Sequence, residues 1–154
     1  MDKQRRRLMI HQMDHKLSTL NELGLIARPE KGWIAALRTT LNITLNQLGT
    51  RLDTSAQNIK GIEAREASGS ITLNALRETA AAMDMKLVYA LLPKDGSLDA
   101  LIERRAKELA KKIVMCTSAS MKLEDQENSP ARLESAIAEK TRELKWEVPK
   151  YLWV

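Results

Sequence analysis

Thr44-Leu45-Asn46-Gln47-Leu48-Gly49-Thr50-Arg51-Leu52-Asp53-Thr54-Ser55-Ala56-Gln57-Asn58-Ile59-Lys60-Gly61-Ile62-Glu63 decides the fold. It opens on Thr-x-x-Gln, the capping box in which a threonine hydroxyl and a glutamine amide satisfy backbone donors at a helix start. Thr54-Ser55-Ala56-Gln57 repeats the form, so a second helix is expected to start there. Leu45, Leu48 and Leu52 give the first helix a buried side, and Ala56, Ile59 and Ile62 give one to the second. Leu52-Asp53 leaves room between them for a tight turn alone. The outward side of the second helix carries Ser55, Gln57, Asn58 and Lys60, short or amide-bearing at its N-terminal end.

Working outward, the chain reads as further helices. Upstream, Trp33, Leu37 and Leu41 form one apolar face. Residues 4–22 predict a first helix with Met9, Met13, Leu17 and Leu20 inward, ended by Gly24 and Pro29. Downstream, Arg65 to Gly69 is expected as a loop, and Thr72 starts a helix through Leu73, Leu76 and Ala80. Lys86 to Leu92 ends at Pro93 and is rich in strand formers, which predicts a short β-strand. A lone strand leaves backbone groups unpaired, so it needs a partner, either another chain or a final extended stretch from Trp146 to Val154. Ser97 can cap a helix with Leu98, Ile102, Ala106, Leu109, Ile113 and Cys116 on one face. Residues 117–128 read as a connector, and Ser129-Pro130 starts a last helix through Leu133, Ile137 and Leu144.

With 44% apolar residues and no Phe among 154, the core must come from Leu, Ile, Ala and Met, which suits helices. Net charge is +5, and residues 1–93 hold 13 Lys/Arg against 9 Asp/Glu while 94–154 hold 12 against 11. That balance permits a nucleic-acid partner without requiring one. The single Cys116 excludes an intramolecular disulfide, fits a reducing compartment and sits among apolar neighbours that predict burial. No apolar run approaches membrane-spanning length, and no signal-type core follows Arg5-Arg6-Arg7, so a cytoplasmic protein without a membrane partner is expected. His11 and His15 stand four apart, but no further ligand completes a metal site. There is no phosphate-cradling glycine loop and no nucleophile–base arrangement. Neither enzyme activity, catalytic residues, a metal nor a cofactor is expected.

Residues 33–92, from Trp33-Ile34-Ala35-Ala36-Leu37-Arg38 through the quoted stretch to Leu73-x-x-Leu76 and Met83-Asp84-Met85, resemble the lambda-repressor-like (Xre) helix-turn-helix family. The resemblance implies a mainly α fold: a helix-turn-helix DNA-binding domain over 31–93 with a short β-strand, an N-terminal helical arm over 1–30 and a C-terminal helical partner-binding region over 94–154. It further implies that the helix from Ser55 lies in the major groove of a double-stranded DNA operator. The residues suit that role on their own chemistry. Amides pair with adenine edges, Ser55 reaches a base or phosphate, and Lys60 makes a salt-sensitive phosphate contact. Gln57 either reads a base or folds back onto Thr54 as the last member of the box, and Gln47 either contacts phosphate or caps. Arg38 and Arg51 are expected as solvent-facing charges within reach of backbone phosphate. Leu45 and Ala56 depart from the family's polar choices, so its base assignments are not carried over.

Taken whole, the chain resembles the family called mobile mystery protein A, in its Gln-Arg-Arg-Arg start, Gly32-Trp33-Ile34 and Leu87-Val88-Tyr89-Ala90-Leu91. That family is paired with a Fic-domain protein, mobile mystery protein B. The resemblance implies an antitoxin that represses its operon, most often as a homodimer, and restrains an AMP-transferring toxin. Fic antitoxins carry Ser/Thr-x-x-x-Glu-Gly/Asn, whose carboxylate competes with the ATP γ-phosphate for a toxin arginine. Ser120-Met121-Lys122-Leu123-Glu124-Asp125 fits the first five positions, which makes Ser120 and Glu124 the toxin-inhibitory candidates. Ser and Glu at that spacing also form an ordinary solvated pair on one helix face. The basic helix around Arg105 to Lys112 is another candidate toxin surface. The alternative is a stand-alone Xre-type regulator of a mobile element with no toxin partner.

Overall fold

The computed structural model describes the side chains of residues 1–120 and 129–154, and the backbone also through 123. Among the described residues there are seven α-helices and no strand. They are α1 (Lys3–Ser18), α2 (Trp33–Thr40), α3 (Leu45–Arg51), α4 (Ala56–Ser68), α5 (Leu73–Ala82), α6 (Leu98–Leu123) and α7 (Pro130–Glu147). Short 3₁₀ turns follow α1 at Asn21–Leu25 and α7 at Lys150–Trp153. The chain forms two compact units, one from residues 25–90 and one from 1–24 together with 91–154.

The 25–90 unit holds α2 to α5 around Ile34, Leu48, Ile59, Ile62 and Met83, with Ile43, Leu45, Leu52, Ile71 and Leu76 packed against them. Its helix starts follow local chemistry. Gln47 N donates to Thr44 Oγ1 (3.1 Å) and Thr44 N to Gln47 Oε1 (2.8 Å), which completes the first capping box. Ala75 N donates to Thr72 Oγ1 at the head of α5. Two details differ from the sequence reading. α2 buries Ile34 and Ala35, whereas Trp33 and Leu41 remain exposed. α4 runs on through 65–68 and stops at Gly69, whose φ of 82° ends the helix in the left-handed region.

Glu66, on the added last turn of α4, is 5% exposed. It continues the inward row of Ile59 and Ile62, where a charged residue hides the apolar period. Its carboxylate accepts from Trp33 N and Ile34 N, both at 2.8 Å, and so caps α2 from another helix. Gly32 makes room for it, since a Cβ there would lie 2.7 Å from Glu66 Oε2.

The expected β-strand over 86–92 does not form: the segment is irregular, and none of its residues makes a backbone hydrogen bond among the described residues. Val88, Tyr89 and Leu91 are 62, 64 and 88% exposed. Strand propensity was legible in the residue types, but a strand exists only as a hydrogen-bonded pair. The partner expected within the chain is absent too, because Trp146 belongs to α7 and Lys150–Trp153 coils into a 3₁₀ turn. The mainly α class stands without its β element.

In the other unit α6 and α7 pack antiparallel. Lys145 near the end of α7 meets Asp99 and Glu103 near the start of α6. Ile102, Ala106, Ala110, Leu144, Val148 and Leu152 form its core, and the two alanines let the helices approach closely. α1, drawn from sequence as an arm, packs on α6 and α7. Its packed side is Arg6, Arg7, Ile10, Asp14 and Leu17, whereas Met9 and Met13 are exposed. Arg6 Nη1 donates to the carbonyls of Glu147 and Val148, and Arg7 Nη2 to Asp99 Oδ1 at 2.9 Å. Asp14 accepts from Leu98 N (2.6 Å) and Asp99 N (3.1 Å), so it supplements Ser97 in capping α6. Cys116 is exposed rather than buried, and α6 continues through Leu123 where a connector was expected. No described helix is long and apolar enough to cross a membrane.

Candidate nucleic-acid interface

α3 and α4 meet through a turn in which the chain doubles back hard. Asp53 adopts a φ of 52°, a left-handed conformation that aspartate tolerates better than most residues. Thr54 N then donates to Gly49 O at 2.8 Å. A Cβ on Gly49 would sit 2.7 Å from Thr54 O, so glycine is what allows the returning backbone to lie on α3. Leu48 and Ile59, both fully buried, lock the two helices together.

α2 braces the pair. Arg38 Nε donates to Glu63 Oε1 at 2.6 Å and its Nη1 to Ile43 O at 3.0 Å, with both charged side chains largely buried. Arg38 is therefore part of the frame and not a free surface charge. Arg51 donates to Ala82 O and stands 3.6 Å from Asp84, at the end of α5.

The second capping box does not form as the sequence suggests. The N-cap is Ser55, whose Oγ accepts from Asn58 N at 3.1 Å. The turn hydrogen bond to Gly49 holds Thr54 in front of the helix, which moves the cap one residue on. Gln57 is consequently not folded back: it is exposed and its side chain makes no hydrogen bond among the described residues. Asn58 Nδ2 donates to Thr54 Oγ1 at 2.8 Å. Lys60 is exposed, one turn beyond Gln57 on the same side of α4, and no ion pair engages it among the described residues. Gln47 spends its Oε1 on the first box, which leaves its Nε2 as a donor at the head of α3.

Ser55, Gln57, Asn58 and Lys60 thus share the exposed N-terminal half of α4, with Gln47 on the neighbouring helix start. Such a surface can offer amide donors and acceptors, backbone N–H groups and one cation to a groove. The sequence reading found these residues but missed Thr54 as the partner of Asn58, and Arg38 and Glu63 as the brace. The signal for the brace was an arginine and a glutamate each placed at the edge of an apolar row.

Ser120 is exposed on α6 and its Oγ donates to Cys116 O at 3.2 Å, while Glu124 lies outside the described residues. Comparison of the chain with protein families, curated proteins and solved structures finds no match to any of them.

Proposed function

We propose that this chain is a sequence-specific DNA-binding protein that represses its own operon and serves as antitoxin to a Fic-domain, AMP-transferring protein. One observation carries the DNA half: α4 presents an unbroken polar N-terminal face on a helix held by a tight turn and an Arg38–Glu63 brace. Nothing within the unit uses Gln57 or Lys60, and both are of the size and chemistry a major groove accepts. A helix fixed this firmly keeps its side chains in register with base edges, which floppy presentation would not.

The antitoxin half rests on the resemblance to mobile mystery protein A and on the second unit, which has its own core. Its exposed Lys107, Lys111 and Lys112 offer a basic face for a protein partner. Two-fold operators favour a homodimer. The protein acts by binding, with no catalytic group assigned.

The test of the DNA half is a gel shift with the DNA upstream of the protein's own gene. Wild type is expected to retard that fragment in preference to random duplex, and Gln57→Ala with Lys60→Ala to lose the preference. Equal affinity for random DNA would overturn the reading. For the antitoxin half, coexpression with the neighbouring gene product should give a copurifying pair with suppressed AMP transfer; free, fully active enzyme would refute it.

A further inference from the structure

Residues 146–154 hold three of the chain's five aromatic side chains. Trp146, Tyr151 and Trp153 are 52, 52 and 49% exposed. The turn that carries the last two is anchored, because Leu152 between them is buried in the core of its unit. Trp153 forms one wall of a cavity of about 440 Å³, with Ile10 of α1, Leu98 and Leu101 of α6 and Val148 just past α7 around it. Two cations flank this apolar lining, Arg6 and Lys150, and no carboxylate lines it among the described residues. Asp99 and Glu147 on the same helices are already paired, the first with Arg7 and Lys145, the second with Lys3. Arg6 spends Nη1 on the carbonyls of Glu147 and Val148, which holds its guanidinium in place, while Nε and Nη2 have no protein partner among the described residues. Lys150 is exposed and enters no ion pair among the described residues.

We infer that this cavity receives a segment of the partner enzyme that inserts an apolar side chain against Trp153 and sets a flanking carboxylate between Arg6 and Lys150. This deepens the antitoxin reading proposed above and rests on it. The charge of the rim selects the occupant: two cations with no counter-charge in the lining attract an acidic segment and repel a basic one, a second copy of this +5 chain included. Tryptophan and arginine are the side chains that most often carry binding energy at protein interfaces. Both are held here before a partner arrives, Trp153 by the buried Leu152 and Arg6 by two carbonyls, so little freedom is lost on binding. An anionic lipid surface shares the same chemistry, but it takes up side chains that protrude, whereas this apolar lining is recessed.

The experiment is calorimetric titration of the purified Fic-domain product of the neighbouring gene into the full-length protein, at low and high salt, for wild type, Lys150→Glu, Trp153→Ala and Lys111→Glu. Wild type should bind, and less tightly as salt rises. Lys150→Glu should lower the affinity about tenfold and flatten the salt dependence. Trp153→Ala should lower it about thirtyfold, the scale of an interface anchor. Lys111→Glu makes the same charge change on an exposed residue of α6 outside the cavity and should stay within about twofold of wild type. Full affinity in both Lys150→Glu and Trp153→Ala overturns the inference. So does a loss in Lys111→Glu as large as that in Lys150→Glu, which would make the attraction general to the unit. Lys150→Glu alters an exposed, unpaired side chain, so the comparison decides even if Trp153→Ala folds poorly. Cosedimentation with phosphatidylserine vesicles supplies the remaining arm: lipid binding abolished by Trp153→Ala, with enzyme binding intact, would assign the cavity to a membrane and overturn the inference. If wild type does not bind the neighbouring product at all, the antitoxin reading itself fails and takes this inference with it, an outcome distinct from the others.

Discussion

Glu66 places both carboxylate oxygens on the first two N–H groups of α2 while almost wholly removed from solvent. A carboxylate at a helix N-terminus faces the positive end of the helix dipole, and hydrogen bonds to a charged acceptor are stronger than neutral ones. Removing it strands two donors in a dry place. Glu66→Ala should therefore cost about 1–3 kcal/mol of stability in urea unfolding, with Glu66→Gln, which keeps an acceptor, losing less. Gly32→Ala should fall in the same direction, since its φ of 87° strains any side chain and its Cβ would push on Oε2. An unchanged unfolding midpoint in Glu66→Ala would show that water replaces the cap. At this scale the exposed polar residues of α4 were legible in the sequence and their supports were not. Ser55, Gln57, Asn58 and Lys60 stand out because polar residues beside an apolar row need no knowledge of the fold. Glu66 and Asp14 act on helices distant in sequence, and Ser55 displaced Thr54 as the cap through a turn hydrogen bond that residue type does not reveal.

Three helices of the split unit converge on Asp99, which accepts from Arg7 on α1 and lies 2.8 Å from Lys145 on α7. Burial works to raise its pKa, but the hydrogen bonds from Lys145 and Arg7 outweigh this and hold the carboxyl below the ordinary carboxylate range. A carboxyl depressed by folding stabilises the fold above its unfolded pKa of about 3.9, and that stability is lost as pH falls through the lower folded value. Lys145, raised by Asp99 and Glu103, is the mirror case: its contribution is full below its unfolded pKa of about 10.4 and disappears as pH rises through the folded one. Thermal melts should therefore be flat near neutrality and decline below about pH 4, and Asp99→Asn should reduce that acid decline while lowering the neutral melting temperature. An identical acid profile for the variant would exclude Asp99 from the effect. Element starts were the most legible feature here, because Thr44, Thr72, Ser97 and Ser129 each cap through a local hydrogen bond. Inner faces were less so: on α1 the packed side includes two arginines and an aspartate whose partners lie on other helices. The strand over 86–92 was not legible at all as a paired element, because pairing is a property of two segments.

At the scale of the molecule, the unit of 25–90 is inserted into a second unit assembled from 1–24 and 91–154. A fragment of residues 25–90 should give a helical circular dichroism spectrum and a cooperative melt. In a fragment of residues 1–90, the amides of α1 should exchange rapidly, while in the intact chain they should be protected by packing on α6 and α7. Protection of α1 in the shorter fragment would contradict the division. The sequence drew boundaries by punctuation, at Pro29 and Pro93, and such marks cannot show that the first helix returns to the last two.

That discontinuity sets an order of events during synthesis. The portion proposed to hold DNA is complete once residue 90 has left the ribosome, whereas α1, made before it, waits until α6, α7 and Leu152 have followed before its packed side is covered. A message cut short, or a chain trimmed from its C-terminal side, would thus yield a molecule that keeps the portion proposed to hold DNA and has lost its other half. The two activities proposed for this protein would then have separate lifetimes in the cell.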